Sequence, residues 1–302
     1  MNDIVPATSD EQIKHYLRHF VCLVWSVQKN NDETIELINR VDTTHSSGFV
    51  ISVNGHWVWI TAGHVIDEIV KYKEDADYKV INPRLFDRWF DFDRNSDDKG
   101  IPISIEMGRM FSVSNEESGT DYGGLLLNNL EVEAMKRSGI EPLDERYWAS
   151  FPPMADFKIC QLLGLPADTT EKHKAHRTKH IVRISEAVRP VLAPASPLKS
   201  ADAQFLTDHP RVICKLRDDL VPDDPADGEA IKNIKGMSGG PLFGLWQFSD
   251  GTTRYRVVGI QSGVFPENRL ITACPVAVIA STIKSYFEHA EKQRASVRSV
   301  TS

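Results

Sequence analysis

Cysteine is scarce in this chain, and the few cysteines are not arranged in pairs. There are four among 302 residues, Cys22, Cys160, Cys214 and Cys274. None belongs to a C-x-x-C pair, and each lies in an apolar run such as Phe20-Val21-Cys22-Leu23. We therefore expect four buried free thiols, a state that favours a reducing compartment.

Long hydrophobic runs and an excess of positive charge are also missing. No stretch reaches the roughly 18 uninterrupted apolar residues of a membrane-spanning helix. Residues 1–10 contain no basic segment ahead of an apolar one, as a secretory signal would. The net charge is −7, so no overall basic field would recruit nucleic acid. The sequence predicts a soluble, cytoplasmic protein with neither nucleic acid nor membrane as a partner.

What is present is a succession of short β-rich runs separated by turn residues. Asn54-Gly55 stands between two such runs and predicts a tight hairpin, because both residues tolerate positive φ. Alternating apolar residues predict a strand from Ile103 to Met107. Helical spacing follows Ser9, covers residues 65–73, and returns in an amphipathic stretch over residues 276–291. Many short strands with few helices indicate a β-barrel or β-sandwich.

Three motifs carry the chemistry of a nucleophilic serine. In chain order they are Ser47-Gly48-Phe49-Val50 with Thr61-Ala62-Gly63-His64, Thr120 to Leu125 around Asp121, and Gly236-Met237-Ser238-Gly239-Gly240-Pro241. A serine hydroxyl needs an adjacent base at neutral pH, and histidine suits that role because its ordinary pKa is about 6.5. A buried carboxylate fixes the imidazole tautomer, and flanking glycines let the backbone aim amides at a developing oxyanion.

Taken together, the motifs resemble those of the chymotrypsin/trypsin-like serine peptidases. The T-A-x-H, D-x-[AG]-x-L and G-x-S-G-G-P signatures of that family fall here in the family's order. The resemblance implies an all-β fold of two six-stranded antiparallel β-barrels with a C-terminal helix. It implies a serine endopeptidase that cleaves protein or peptide substrates through an acyl-enzyme, without cofactor or metal. His64 would be the general base, Asp121 would orient it and Ser238 would be the nucleophile, with the amides of Gly236 and Ser238 as the oxyanion hole.

The same resemblance divides the chain into four parts. They are an N-terminal helical segment (1–19), a first barrel carrying histidine and aspartate (20–150), a second barrel carrying serine (151–274), and a C-terminal helix and tail (275–302). No cysteine pair flanks His64 or Ser238, unlike in secreted digestive members, so the chain looks closer to bacterial or intracellular ones.

Substrate contacts are also implied by the resemblance. Lys232 would lie near the floor of the pocket for the P1 side chain and would favour an acidic residue there; the alternative is a solvent-exposed lysine. Val264 would stand at the neck of that pocket. Ser262, Gly263 and Val264 would form an edge strand that pairs with the substrate backbone.

Met237 departs from the pattern of family members that are activated by cleavage, which carry an aspartate at this position. Without that charge, the loop before Ser238 must be ordered in another way. Either Met237 packs against apolar neighbours, or the peptide at residues 233–235 flips and blocks the oxyanion hole. We therefore expect weak activity in the isolated chain and a regulatory protein partner that orders the loop.

Several other interpretations remain open. Asp67 and Asp91 are competing acids for His64, but Asp67 is too close to His64 in sequence and Asp91 lacks the small-then-apolar strand pattern that follows Asp121. Gly236-Met237-Ser238-Gly239-Gly240 also fits the nucleophile elbow of α/β-hydrolases, although the only histidine after Ser238 is His289. The histidines at positions 173, 176 and 180 have spacings that could bind zinc, but four basic residues crowd the same segment and favour a solvated loop. An inactive trypsin-like fold acting as a protein-binding module is the remaining functional alternative.

Overall fold

The computed structural model describes residues 5, 9–30, 42–87, 100–115, 120–149, 157–165, 170–172, 176–178, 181–183, 186–188, 191–197, 211–216 and 236–300. Within these ranges the secondary structure is mostly β, with the strands in two halves and helices at the junctions. No helix in this part of the chain is both long enough and apolar enough to cross a membrane.

The first half combines short strands with four helices. Its elements are α1 (Ser9–Leu17), β1 (Val21–Lys29), β2 (Asp42–Ser46), β3 (Phe49–Val53), β4 (His56–Thr61), α2 (Gly63–Glu74), β5 (Tyr78–Asp87), β6 (Ile101–Pro102), β7 (Met110–Asn115), β8 (Thr120–Leu126), α3 (Asn129–Arg137) and α4 (Glu145–Trp148).

The strands of this half form two four-stranded antiparallel sheets, ordered β2-β1-β5-β6 and β3-β4-β8-β7. The sheets meet where β1 begins, through an antiparallel bridge between Phe20 and Phe49. Trp25, Trp59 and Leu125 belong to one buried apolar cluster that both sheets and α2 build. The predicted closed six-stranded barrel is not confirmed in this half.

The second half contains the remaining strands and a long terminal helix. Its elements are β9 (Ile159–Gly164), β10 (Thr170–Lys172), β11 (His176–Thr178), β12 (Ile181–Arg183), β13 (Glu186–Val188), β14 (Val191–Pro197), β15 (Val212–Leu216), β16 (Pro241–Gln247), β17 (Thr253–Phe265), β18 (Leu270–Pro275) and α5 (Val276–Val300).

Six of these strands close into a barrel, in the order β14-β15-β18-β17-β16-β9. The pairing within it is antiparallel throughout, as the second predicted barrel requires. The same pairing argues against the α/β-hydrolase alternative, which needs a parallel sheet. The segment predicted as a solvated basic loop instead contains short antiparallel pairs, β10 with β13 and β11 with β12.

Local sequence explains several element boundaries. Asn54 and Gly55 have φ values of 51° and 81°, so the two-residue turn between β3 and β4 is the predicted hairpin. Asn128 and Glu131 form a reciprocal capping box that begins α3. The terminal helix begins at Val276, as its amphipathic pattern predicts, and continues beyond the predicted end.

The strand expected from Ile103 to Met107 does not form. Ile103 and Ile105 are buried as the alternation suggests, but residues 103–106 belong to no strand, although the Ile103 amide donates to the Pro83 carbonyl of β5 at 3.1 Å. Side chains take the place of strand partners there: Arg109 Nη1 donates to the Ser104 carbonyl at 3.1 Å, and the Lys73 ammonium donates to the Ile105 carbonyl. Apolar alternation therefore predicts the burial of Ile103 and Ile105, but neither the 46% exposure of Met107 nor the absence of a strand.

An apolar core spans the two halves. One buried cluster combines Ile51 and Ile60 of the first half with Phe243 and Ile260 of the barrel and Ile279 of α5. This shared core fixes the position of one half relative to the other and so forms the base of the junction at which the site residues meet.

The N-terminal helix and its flanking residues pack against the barrel. Tyr16 stacks on Phe243 with ring centroids 4.5 Å apart, and the Val5 amide donates to the Thr253 carbonyl at 2.8 Å. His19 is fully buried, with Nε2 at 2.9 Å from the Tyr255 hydroxyl. Burial lowers the pKa of His19 to about 3, so it packs as a neutral side chain.

Candidate active site

His64 lies in the first turn of α2, directly after the end of β4. The chain leaves β4 at Thr61 and enters the helix at Gly63, so the imidazole stands at the rim of the sheet. The His64 side chain is 51% exposed. A half-exposed imidazole at a strand-to-helix junction can reach a substrate while keeping one face against the protein.

Asp121 of β8 contacts His64 twice. Its Oδ2 lies 2.7 Å from His64 Nδ1, and its Oδ1 accepts a hydrogen bond from the His64 backbone amide at 2.9 Å. The second contact satisfies one of the free amides at the start of α2, where the helix dipole also favours a negative charge. Asp121 thus orients the ring and leaves Nε2 pointing away from the carboxylate.

The Asp121 contact changes the proton affinity of the imidazole. The hydrogen bond to Asp121 raises the pKa of His64 above its ordinary value, although partial burial acts in the opposite direction. A raised pKa strengthens the imidazole as a proton acceptor, provided that the pH is high enough to leave it neutral.

The two competing acids have different outcomes. Asp67 Oδ1 accepts a hydrogen bond from the Ser112 hydroxyl at 2.5 Å, and within the described ranges it makes no hydrogen bond to His64. Asp91 lies outside the described residues. The geometry therefore favours Asp121 as the partner of His64.

Ser238 lies in a tight turn that precedes β16, which we call the Ser238 turn (residues 236–240). Gly236 and Gly239 adopt φ values of 91° and 88°, which side chains rarely allow. The Gly240 amide donates to the Met237 carbonyl at 2.9 Å and closes the turn.

The turn is attached to both halves of the protein. The Gly239 amide donates to the Gln261 carbonyl of β17 at 2.8 Å. On the other side, a side chain at Gly239 would come within 2.2 Å of Thr61 Oγ1 and 2.9 Å of the Ala62 amide nitrogen. Only a glycine allows the Ser238 turn to approach the strand that leads to His64 so closely.

The expected hydrogen bond between Ser238 and His64 is not formed: across the described part of the chain, no hydrogen bond joins the two side chains. Catalytic hydrogen bonds of this kind are often long or poorly aligned in the absence of substrate. The structure brings His64 and Asp121 into contact. It also places the Ser238 turn against the end of β4, the strand that leads to His64.

The amides predicted for an oxyanion hole are free of protein acceptors. Among the residues described, the amides of Gly236 and Ser238 donate to no carbonyl or side chain. Such unpaired donors in a glycine-bearing turn are available to an anionic oxygen.

Met237 follows the first of the two alternatives that the sequence leaves open. Its side chain is fully buried in the apolar cluster inside the barrel. Gly164 of β9 makes room for it, because a side chain there would come within 2.8 Å of Met237 Cβ. The second alternative, a flipped peptide at residues 233–235, lies outside the described residues.

The predicted substrate strand is an extended edge at the end of β17. Residues up to Ile260 pair with β16 on one side, whereas among the described strands Gly263 and Val264 pair with β18 alone. Val264 is 40% exposed. Lys232, predicted for the P1 pocket, lies outside the described residues.

The sequence motifs predict no role in the site for two residues that lie near it. Ser47 is fully buried and touches the Ser238 turn, although its motif suggests no role for it. Cys274 Sγ accepts a hydrogen bond from the Asp121 amide at 3.3 Å and lies 3.7 Å from the Ser262 hydroxyl. No local sequence pattern predicts these contacts, because each joins segments that are far apart in sequence.

A metal site is not evident in the described ranges, which hold no group of three or more histidine, cysteine, aspartate or glutamate side chains able to bind an ion. Of the three histidines considered for zinc, His176 lies in β11, while His173 and His180 fall outside these ranges.

Comparison with known proteins finds distant similarity to solved structures. No protein-family model matches the chain, and no curated protein matches it. Among solved structures, the protease Anisep from Arthrobacter nicotinovorans is 13% identical, with a TM-score of 0.41, covering 85% of this chain and 90% of that one. The thermostable serine protease AL20 from an extremophilic microorganism is 12% identical, with a TM-score of 0.40, covering 85% and 91%.

A third solved structure concerns the coupled folding and binding of the intrinsically disordered Sesbania mosaic virus VPg protein. It is 12% identical, with a TM-score of 0.39, and the match covers 87% of this chain and 88% of that one. At these scores the likenesses assign neither a family nor an activity to the chain.

Proposed function

We propose that this protein is a serine endopeptidase with His64, Asp121 and Ser238 as its catalytic triad. The observation that carries the proposal is the double contact of Asp121 with the ring and the backbone of His64. The His64–Asp121 pair lies beside the glycine-bearing Ser238 turn.

The reaction follows from these positions. His64 Nε2 takes the proton of Ser238 Oγ as the hydroxyl attacks a peptide carbonyl, and Asp121 stabilises the resulting imidazolium. The amides of Gly236 and Ser238 stabilise the oxyanion. His64 then donates its proton to the leaving amine, and a water molecule activated by the same imidazole hydrolyses the acyl-enzyme.

The substrate is an extended polypeptide that adds as a strand to β17. The edge at Ser262, Gly263 and Val264 supports this, because within the described ranges no strand pairs with its outer side and a peptide can exchange backbone hydrogen bonds there. The Gly263 carbonyl itself accepts a hydrogen bond from Gln261 Nε2 at 3.0 Å. A preference for an acidic P1 residue through Lys232 stays a prediction, as does the regulatory protein partner.

The decisive experiment is labelling of the purified chain with a fluorophosphonate probe, which reacts only with an activated serine. We expect labelling that Ser238→Ala and His64→Ala abolish. Ser281→Ala is the matched control, because Ser281 is an exposed serine on α5 and its loss should leave labelling unchanged.

One observation favours the alternative of a non-catalytic binding module: in the described ranges Ser238 and His64 share no hydrogen bond. If the wild-type chain fails to label, alone and with added cell extract as a source of activating partner, that alternative replaces the proposal. Labelling only in the presence of extract indicates a latent enzyme, with the triad assignment retained.

A further inference from the structure

Ser47 is a fully buried polar residue in the short connection between β2 and β3. Its hydroxyl donates to the Gly236 carbonyl at 3.0 Å and accepts from the Leu165 amide at 3.0 Å. One side chain of the first half thus joins two separate segments of the second half.

A second hydrogen bond holds Ser47 itself in place. Thr61 Oγ1 donates to the Ser47 carbonyl at 2.8 Å, and Thr61 is also fully buried. A side chain at Gly239 would come within 2.4 Å of that same carbonyl. Ser47 therefore lies between the strand that leads to His64 and the turn that carries Ser238.

The Gly236 carbonyl is a sensitive point of the Ser238 turn. Gly236 has a positive φ and no side chain, so nothing within the residue restricts the rotation of the peptide that follows. A donor from outside the turn can fix that peptide. The Ser47 hydroxyl supplies this donor, and Met237 anchors the other end of the same peptide inside the barrel.

We propose that Ser47 is a positioning residue for the oxyanion hole, and that its hydroxyl sets the orientation of the Ser238 turn relative to His64. This inference rests on the proposed peptidase function. In this arrangement a buried hydrogen bond from the first half and a methionine anchor in the second order the turn.

The test compares Ser47→Ala with Ser46→Ala, the same substitution at the preceding buried serine, which forms no hydrogen bond with the Ser238 turn within the described ranges. Hydrogen–deuterium exchange of the peptide covering the Ser238 turn reads the structural effect without need of activity. We expect Ser47→Ala to speed exchange of the Gly239 and Gly240 amides, and Ser46→Ala to leave it unchanged.

The catalytic readout is the rate of fluorophosphonate labelling together with kcat and KM on a peptide substrate. Misplaced oxyanion donors should lower the labelling rate and kcat by about tenfold to a hundredfold, with KM little changed. If Ser47 had a purely structural role, Ser47→Ala would lower the melting temperature without lowering kcat at a nearly constant KM.

The outcomes separate the two proposals. Exchange and kcat that match those of Ser46→Ala would overturn the role of Ser47. A wild-type chain that never labels, with exchange still faster in Ser47→Ala, would overturn the peptidase proposal but leave Ser47 as the residue that orders the turn. If Ser47→Ala does not fold, Thr61→Val should give the same changes at smaller size, and unchanged exchange in that variant would contradict the inference.

Discussion

The imidazole of His64 is bound by Asp121 through Nδ1, and this contact raises the pKa of His64. The ring must be neutral to accept a proton, so kcat/KM should rise with pH through a midpoint above the ordinary value of about 6.5. Asp121→Asn should lower that midpoint and reduce kcat by a factor on the order of 10⁴. A rate that is flat from about pH 5 to 9 would contradict a histidine-activated serine.

The stability that the His64–Asp121 pair gives to the fold should change with pH in the opposite direction to activity: it should fall as the pH rises. Because the pKa of His64 is higher in the folded state, the charged pair with Asp121 stabilises the fold fully below about pH 6.5. That contribution is lost as the pH rises through the raised value. The difference in melting temperature between the wild type and Asp121→Asn should therefore be larger at low pH than at high pH. An equal difference at both would show that the pair is not charged.

Met237 offers a test of how the Ser238 turn is anchored. Met237→Ala should leave a cavity inside the barrel and cost about 2–5 kcal/mol of unfolding free energy. Met237→Leu conserves most of the volume and should cost less than about 1.5 kcal/mol. Urea unfolding of both variants measures the difference. Equal, small costs would mean that the thioether is not packed as described.

At the scale of single residues, the sequence predicts the candidate catalytic residues better than the residues that hold them in place. His64, Asp121 and Ser238 stand in motifs that a reader can find in the sequence, and two of them are in contact in the structure. Cys274 lies in no such motif, and the motif that contains Ser47 suggests no role for that serine. Their contacts depend on tertiary packing between halves, which no local spacing encodes.

Among the elements, α5 ties the C-terminal end of the barrel to the first half. Ile279 is fully buried in the core shared by both halves, whereas Val278 is 36% exposed on the same helix. Ile279→Ala should cost about 2–5 kcal/mol of unfolding free energy. Val278→Ala, the matched control, should change it by no more than about 0.5 kcal/mol. Similar costs for the two would contradict this orientation of α5.

Element boundaries are predictable where a local rule decides them. The turn at Asn54-Gly55 follows from positive φ, and the start of α5 follows from its apolar periodicity. The segment from Ile103 to Met107 fails because side chains of Arg109 and Lys73, rather than a strand, satisfy its carbonyls. The spacing of apolar residues does not predict such side-chain contacts.

For the molecule as a whole, the antiparallel β-architecture is predictable but the closure of each half is not. The second half closes because β14 bridges β9 and β15. In the first half, β1 instead pairs with β2 and β5, which leaves two separate sheets. Strand order of this kind depends on pairing across long separations, for which alternation of apolar residues gives no information.

All four cysteines are free and buried, as predicted. Burial raises the pKa of Cys22, and the pKa of Cys214 is raised by its hydrogen bond to Cys160 as well as by burial. The native protein should therefore react slowly with a thiol reagent, and four equivalents should react after denaturation. Mass spectrometry under non-reducing conditions should show no loss of hydrogen pairs. A loss of two hydrogens would indicate a disulfide and an oxidising compartment.

The arrangement of strand edges bears on aggregation. Closure pairs each barrel strand on both sides, so within the described ranges the barrel offers a template for another strand chiefly at Gly263 and Val264, the edge proposed for the substrate. In the first half, β6 is an outermost strand of only two residues, and Pro102 lacks the amide that a further strand would need. The outer side of β3 is occupied at Ile51 by a bridge to Leu143. Intermolecular β-pairing is therefore hindered at β6 and at Ile51, whereas β2 and β7 are the outermost strands at the other edges of the two sheets.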